Sequence, residues 1–106
     1  MKFSGGMGEL MRQAGRVQRK VEKRREELKG ETFEATAGNG KVTAVANGIP
    51  ELVEIRVDKA LFEEEDLEMV QDLLVAAANA ALTKAREHVE AEIEKITGGL
   101  TIPGLG

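Results

Sequence analysis

Apolar residues recur near the start of the chain at Met7, Leu10, Ala14, Val17, Val21 and Leu28, with gaps of three, four, three, four and seven. That rhythm lines them up along one side of an α-helix. It predicts a long first helix over roughly 6–29, preceded by a flexible start at Ser4-Gly5-Gly6 and stopped at Gly30. The gap of seven marks an interruption, because Arg24 stands where the next apolar side chain is due.

Over residues 31–58 the helical rhythm gives way to three short runs rich in Val, Thr and Ile, cut by Gly38-Asn39-Gly40 and by Asn47-Gly48 with Pro50. Asn and Gly tolerate the positive φ of tight turns, so the cuts predict hairpins and a three-stranded antiparallel meander. In the third run Val53, Ile55 and Val57 share one face, and Glu54 and Arg56 the other. The middle run has Val42, Ala44 and Ala46 on one face and Thr43 and Val45 on the other, which predicts cover over part of both.

An acidic cluster, Glu63-Glu64-Glu65-Asp66, leads into a second helix over about 66–97. Its stripe is Leu67, Val70, Leu74, Ala77, Ala81, Ala85, Val89, Ile93 and Ile96. The Ala-rich centre favours close approach of another backbone, Gly98-Gly99 ends the helix, and a short tail, LTIPGLG, follows within 98–106. The pattern predicts an α+β fold of order α-β-β-β-α, one domain over 1–106, with the meander flanked by two long helices. Helices of this length extend about 30–45 Å, further than a three-stranded sheet can cover. Their ends must project or pack on another chain, and a homodimer is the simplest closed solution.

Composition narrows the chemistry. The 106 residues are 42% hydrophobic and 32% charged, with three Phe and no Tyr, Trp or Cys. The core must be aliphatic, and thiol catalysis, disulfides and thiolate metal sites are excluded. Neither a membrane-spanning run nor a secretory leader is expected, so a cytoplasmic location is the default. The lone His88 borders the second helix's apolar stripe and reads as a boundary histidine, with no nucleophile context beside it. Carboxylates ahead of a helix read as capping and dipole complementation before they read as a cation site. No catalysis, cofactor, metal or small-molecule substrate is expected.

Charge is distributed unevenly. The formal net charge is −4. Residues 1–29 carry net +5 and the remainder net −9. Local charge governs contacts, because screening limits electrostatic reach to about 8–10 Å. Arg12, Arg16, Arg19, Lys20 and Lys23 fall within an arc of about 100° on the first helix, opposite the apolar stripe. Helical offsets offer Glu9 to Arg12, Glu22 to Arg19, and Glu26 and Glu27 to Lys23. Arg16 and Lys20 have no carboxylate at three or four residues, so the middle of the face is left uncompensated. No aromatic residues stand beside it for base stacking, which favours phosphate contact with a duplex over single-strand binding.

Three blocks carry a family resemblance. GGMGELMRQAGRVQRKVEKRREEL resembles the opening Gly-Gly-x-Gly-x-Leu-Met-x-Gln-Ala and long helix of the YbaB/EbfC family of bacterial nucleoid-associated proteins. GNGKVTAVANGIPELVEIRVD is similar to that family's strand block, and EDLEMVQDLLVAAANAALTKA to its acidic lead and Ala/Asn-rich helix. The resemblance spans nearly the whole chain and rests on the order and spacing of the blocks. It implies a homodimer with helices projecting like the arms of tweezers, and binding of double-stranded DNA with little sequence preference. It also implies a nucleoid location and a part in chromosome organisation and gene expression. The chain departs from the pattern at Lys59, where many members have Pro after the Asp, and in carrying Arg or Lys on the first helix where others often carry Gln or Met.

The expected DNA-contacting set is therefore Arg12, Arg16, Arg19, Lys20 and Lys23, with Arg24 and Arg25 at its margin. Its competitor is a protein-interaction adaptor that uses the apolar stripes and the acidic C-terminal part, the basic face being solvated surface. RNA binding shares the electrostatics without the usual aromatic platform.

Overall fold

A computed structural model describes residues 3–63 and 66–98, with side chains from residue 6. Its elements are α1 (Phe3–Leu28), β1 (Thr32–Ala37), β2 (Val42–Asn47), β3 (Leu52–Val57), α2 (Lys59–Phe62) and α3 (Leu67–Thr97). The α+β layout agrees with the pattern of the sequence. Two of the expected acids, Glu64 and Glu65, and the tail from Gly99 onward lie outside the described residues.

The sheet has the order β1-β2-β3, antiparallel throughout. Thr32 faces Asn47 and Ala37 faces Val42 in the first ladder, and Val42 faces Val57 in the second. The second ladder is irregular at Val45/Ala46: Ala46 faces Leu52 and Val45 faces Glu54, so Val53 is the extra residue.

Two turns look alike in sequence and differ in structure. Gly38, Asn39 and Gly40 take φ of 63°, 56° and 83°, the left-handed geometry expected of a hairpin turn. Asn47-Gly48 does not. The Asn47 side-chain oxygen instead accepts hydrogen bonds from the amides of Ile49 and Glu51, both at 3.0 Å. Gly48 is required for space rather than for φ, since a Cβ there would overlap the Leu28 carbonyl group at the end of α1.

α3 lies across β1 and β2 and barely reaches β3. Ala77, Ala81 and Ala85 are fully buried and let its backbone approach Phe33, Val42, Ala44 and Ala46. The far face of β2 is covered differently. Val45 sits in register between Glu34 and Glu54 and is 5% exposed. Arg56 bridges those two carboxylates at 3.0 and 2.6 Å, roofing the valine with ion-paired side chains. Hydrogen bonds donated to Glu54 and then Glu34 raise the Arg56 pKa further above its ordinary value.

Several boundaries differ from the expectation. α1 begins at Phe3 and runs through Ser4-Gly5-Gly6: glycine weakens a helix without ending it. α1 closes in a tightened turn, with the Gly30 amide on the Glu27 carbonyl and the Glu31 amide on that of Leu28. The short α2 was not expected. Asp58 caps it by accepting from the Ala60 amide at 2.9 Å, and the helix buries Leu61 completely in the core. Asp66 caps α3 by accepting from the Met69 amide at 3.1 Å, and Gly98 ends α3 at φ 65°. Leu67, expected within the stripe of α3, is instead 67% exposed.

The molecule is long and thin, 76 × 20 × 18 Å, with a radius of gyration of 20.4 Å. A compact chain of this length would have about 13 Å. The excess length comes from α1. It packs on α3 through its C-terminal part, where Val21 and Leu28 are buried, and its N-terminal part leaves Met7, Leu10 and Met11 exposed. Arg24 bonds Glu92 while Glu31, further along, approaches His88, so the two helices run antiparallel.

Candidate nucleic-acid interface

The basic face lies on α1. At 100° per residue Arg12, Arg16, Arg19, Lys20 and Lys23 project from one side of the helix, all exposed. The opposite side carries Val17, Val21 and Leu28, which turn toward α3 and leave the cations facing solvent.

Ion pairing over this face departs from the helical-offset expectation. Glu9 holds Arg12 at 2.9 Å, and its other oxygen reaches Arg16 at 3.4 Å across seven residues. Seven residues are two turns and bring the side chains back to almost the same angle, within reach of a long guanidinium. Arg16 therefore has a carboxylate partner that offsets of three and four miss. Hydrogen bonds from Arg12 and then Arg16 hold the Glu9 carboxyl below its usual range.

Further along α1 the acids are diverted from the face. Glu26 pairs with Lys29 at 2.9 Å and Glu27 with Arg24 at 3.5 Å, so neither takes Lys23. Glu22 does not take Arg19, whose guanidinium lies back over Gly15. Among the described residues Arg19, Lys20, Lys23 and Arg25 make no ion pair or side-chain hydrogen bond. The uncompensated charge thus sits at 19, 20 and 23, one turn later than expected, with Lys20 common to both readings.

Arg24 and Arg25 stand apart. Their helical angles are about 90° and 170° from the middle of the basic arc. Arg25 is exposed beside the apolar side. Arg24 is directed at α3, where its Nε and Nη2 donate to Glu92 at 3.2 and 2.6 Å. Its Nη1 lies 3.2 Å from Glu31 and 3.5 Å from Glu27. Sequence reasoning missed Glu92. The available signal was a carboxylate set between Val89, Ile93 and Ile96 in an otherwise apolar stripe, matching Arg24 in the other helix.

A second surface is left uncovered. β3 is an edge strand, and Leu52, Val53 and Ile55 are 40%, 54% and 42% exposed. Phe62, Leu67 and Val75 are likewise exposed around the first part of α3. A single charged arm on an apolar-edged body can attract polyanions by its cations and associate through its strand edge.

The profile of the YbaB/EbfC DNA-binding family matches residues 3–100. A nucleoid-associated protein of Acetivibrio thermocellus is 51% identical over 104 residues, covering 97% of this chain and 92% of that one. A nucleoid-associated protein of Myxococcus xanthus is 46% identical over 96 residues, covering 91% of each. Among solved structures, an uncharacterized protein of Helicobacter pylori, HP0035, superposes with a TM-score of 0.61 at 27% identity, covering 70% of this chain and 86% of the other.

Proposed function

The chain belongs to the YbaB/EbfC DNA-binding family, and we propose that it serves as a non-enzymatic nucleoid protein gripping duplex DNA as a homodimer. The nucleoid-associated relatives support a DNA-binding role on the bacterial nucleoid, in the cytoplasm. The contacts are to phosphates, made by Arg19, Lys20 and Lys23 with Arg12 and Arg16 beside them. Such contacts position a protein without reading bases, so sequence preference is slight and the role is one of chromosome organisation and gene regulation.

The observation that carries this reading is the diversion of acids from the arm. Carboxylates at helical offsets from Arg19 and Lys23 are present, yet they pair with Lys29 and Arg24 or leave the face alone, and Lys20 has none three or four residues away. A solvated surface balanced for its own sake would pair these charges.

Reversing Lys20→Glu and Lys23→Glu together is expected to abolish duplex binding with helix content unchanged. In the unmodified protein log affinity falls linearly with log salt, by about 0.9 for each phosphate neutralised. Duplex binding retained in the double variant would remove the assignment to this face. No duplex binding by the unmodified protein at low salt would favour the adaptor reading.

The dimer is supported by the uncovered β3 edge with Leu52, Val53 and Ile55, since an unpaired apolar edge is a template for a second strand. Sedimentation at micromolar concentration is expected to give twice the chain mass, and Val53→Glu a monomer. A stable monomer before substitution refutes the dimer.

A further inference from the structure

Arg24 interrupts the apolar stripe three residues after Val21 and four before Leu28, where helical spacing turns a side chain toward α3. Val21 and Leu28 on either side of it are 1% and 0% exposed. A lone guanidinium half-buried there would be costly, and three carboxylates answer it. Glu92 accepts two of its hydrogen bonds on one oxygen, and Glu31 and Glu27 lie against the remaining terminal nitrogen. The second Glu92 oxygen accepts from Lys95 at 2.6 Å. The Arg24 and Glu92 side chains are 26% and 16% exposed, the least exposed ion pair among the described residues. Glu31 belongs to the link between α1 and β1 and also lies 3.7 Å from His88 Nε2, whose ring packs on Phe33. One guanidinium thus ties together α1, the link and α3.

We infer that Arg24 and Glu92 form a clamp that sets how α1 leaves the body, so that Arg24 positions the DNA-binding face instead of contacting phosphate. The inference rests on the DNA-binding reading above. Its physical basis is directionality. Apolar packing along a seam is non-directional and permits roll and slide, whereas a planar guanidinium fork fixes an angle. Rolling α1 by one residue would swing Arg19, Lys20 and Lys23 through about 100°. From the clamp back to Phe3 α1 runs 21 residues, or about 31 Å, so a tilt of roughly 10° at the clamp moves the far end about 5 Å.

Glu92→Gln separates the possibilities by sign. The substitution removes a negative charge, so simple electrostatics would tighten binding to a polyanion. The clamp predicts the reverse: duplex affinity lower by about fivefold at fixed salt, as the correctly oriented arm becomes a minority population. The salt slope stays unchanged and amide exchange speeds up over residues 17–28. Arg24→Lys, which keeps the charge and loses the fork, is expected to behave likewise. Affinity equal to or above that of the unmodified protein in Glu92→Gln overturns the clamp, as does unchanged amide exchange. A neutral Arg24→Lys, with an Arg24→Gln whose salt slope falls by about 0.9 per contact, would make Arg24 a phosphate ligand after all. If the unmodified protein binds no duplex, the functional reading fails, while amide exchange still decides whether the pair holds the helices together.

Discussion

The two halves of α1 share one apolar rhythm and meet opposite fates. In the second half Val21 and Leu28 are 1% and 0% exposed, pressed against α3 and the β2–β3 turn. In the first half Met7, Leu10 and Met11 are 59%, 61% and 69% exposed. Periodicity identifies which side of a helix is apolar, and only the partner's length decides where that side is covered. α3 ends at Thr97, capped by Gly98, with α1 still running on past the seam. The charges do not follow that division: the packed half pairs Glu27 with Arg24 and Glu26 with Lys29, and among the described residues it still presents Arg19, Lys20 and Lys23 unpaired on its outer side.

Removing one apolar side chain from each half is expected to give the largest contrast. Leu28→Ala leaves a cavity at a fully buried site and is expected to lower stability by about 2–5 kcal/mol. Leu10→Ala should stay within about 0.5 kcal/mol, as surface substitutions do. Urea unfolding at one fixed protomer concentration measures both, since association would otherwise shift the midpoint. An equal loss from Leu10→Ala would show that the arm is covered in the assembled protein, and would put the difference between the halves down to the isolated chain.

Much of this was legible in the sequence, for reasons that differ by element. α1, the three strands and α3 announced themselves through long stretches of consistent period, and their observed bounds fall within a few residues of expectation. The Ala77, Ala81 and Ala85 stripe told of close backbone approach before the sheet was seen beneath it. α2 was missed because four residues hold too little period to detect, and Asp58 as a cap was its sole herald. The hairpin at Asn47-Gly48 was foreseen for the wrong reason, since its glycine answers a steric demand from Leu28, a residue twenty positions away, and not a need for positive φ. The charges were half legible. Offsets of three and four correctly joined Glu9 to Arg12, but they could not foresee that Arg24, anchored on α3, would draw in Glu27 and leave Lys23 bare. Such competition is settled by tertiary structure, and no local rule contains it.

Acid is expected to produce a smaller contrast, between one carboxylate of the packed region and one of the arm. Hydrogen bonds from Lys95 and then Arg24 hold the Glu92 carboxyl down to about 2. An unfolded glutamate titrates near 4.3. Because the folded value is the lower one, Glu92 contributes stability that is fully present above about 4.3 and is lost as pH falls toward 2. Glu9 is lowered too, by Arg12 and Arg16, but its partners are exposed on a part of α1 that no other described element covers. Many other carboxylates titrate in the same range, so the informative quantity is the difference between each variant and the unmodified protein. The melting temperature of Glu92→Gln is expected to lie below that of the unmodified protein at pH 6 and to converge with it as pH falls from about 4.3 toward 2. Glu9→Gln should track the unmodified protein throughout, because an exposed ion pair on one helix adds little to global stability. Parallel curves for Glu92→Gln at every pH would mean that the clamp carries no pH-linked stability, and the packed half would then be held by Val21 and Leu28 alone.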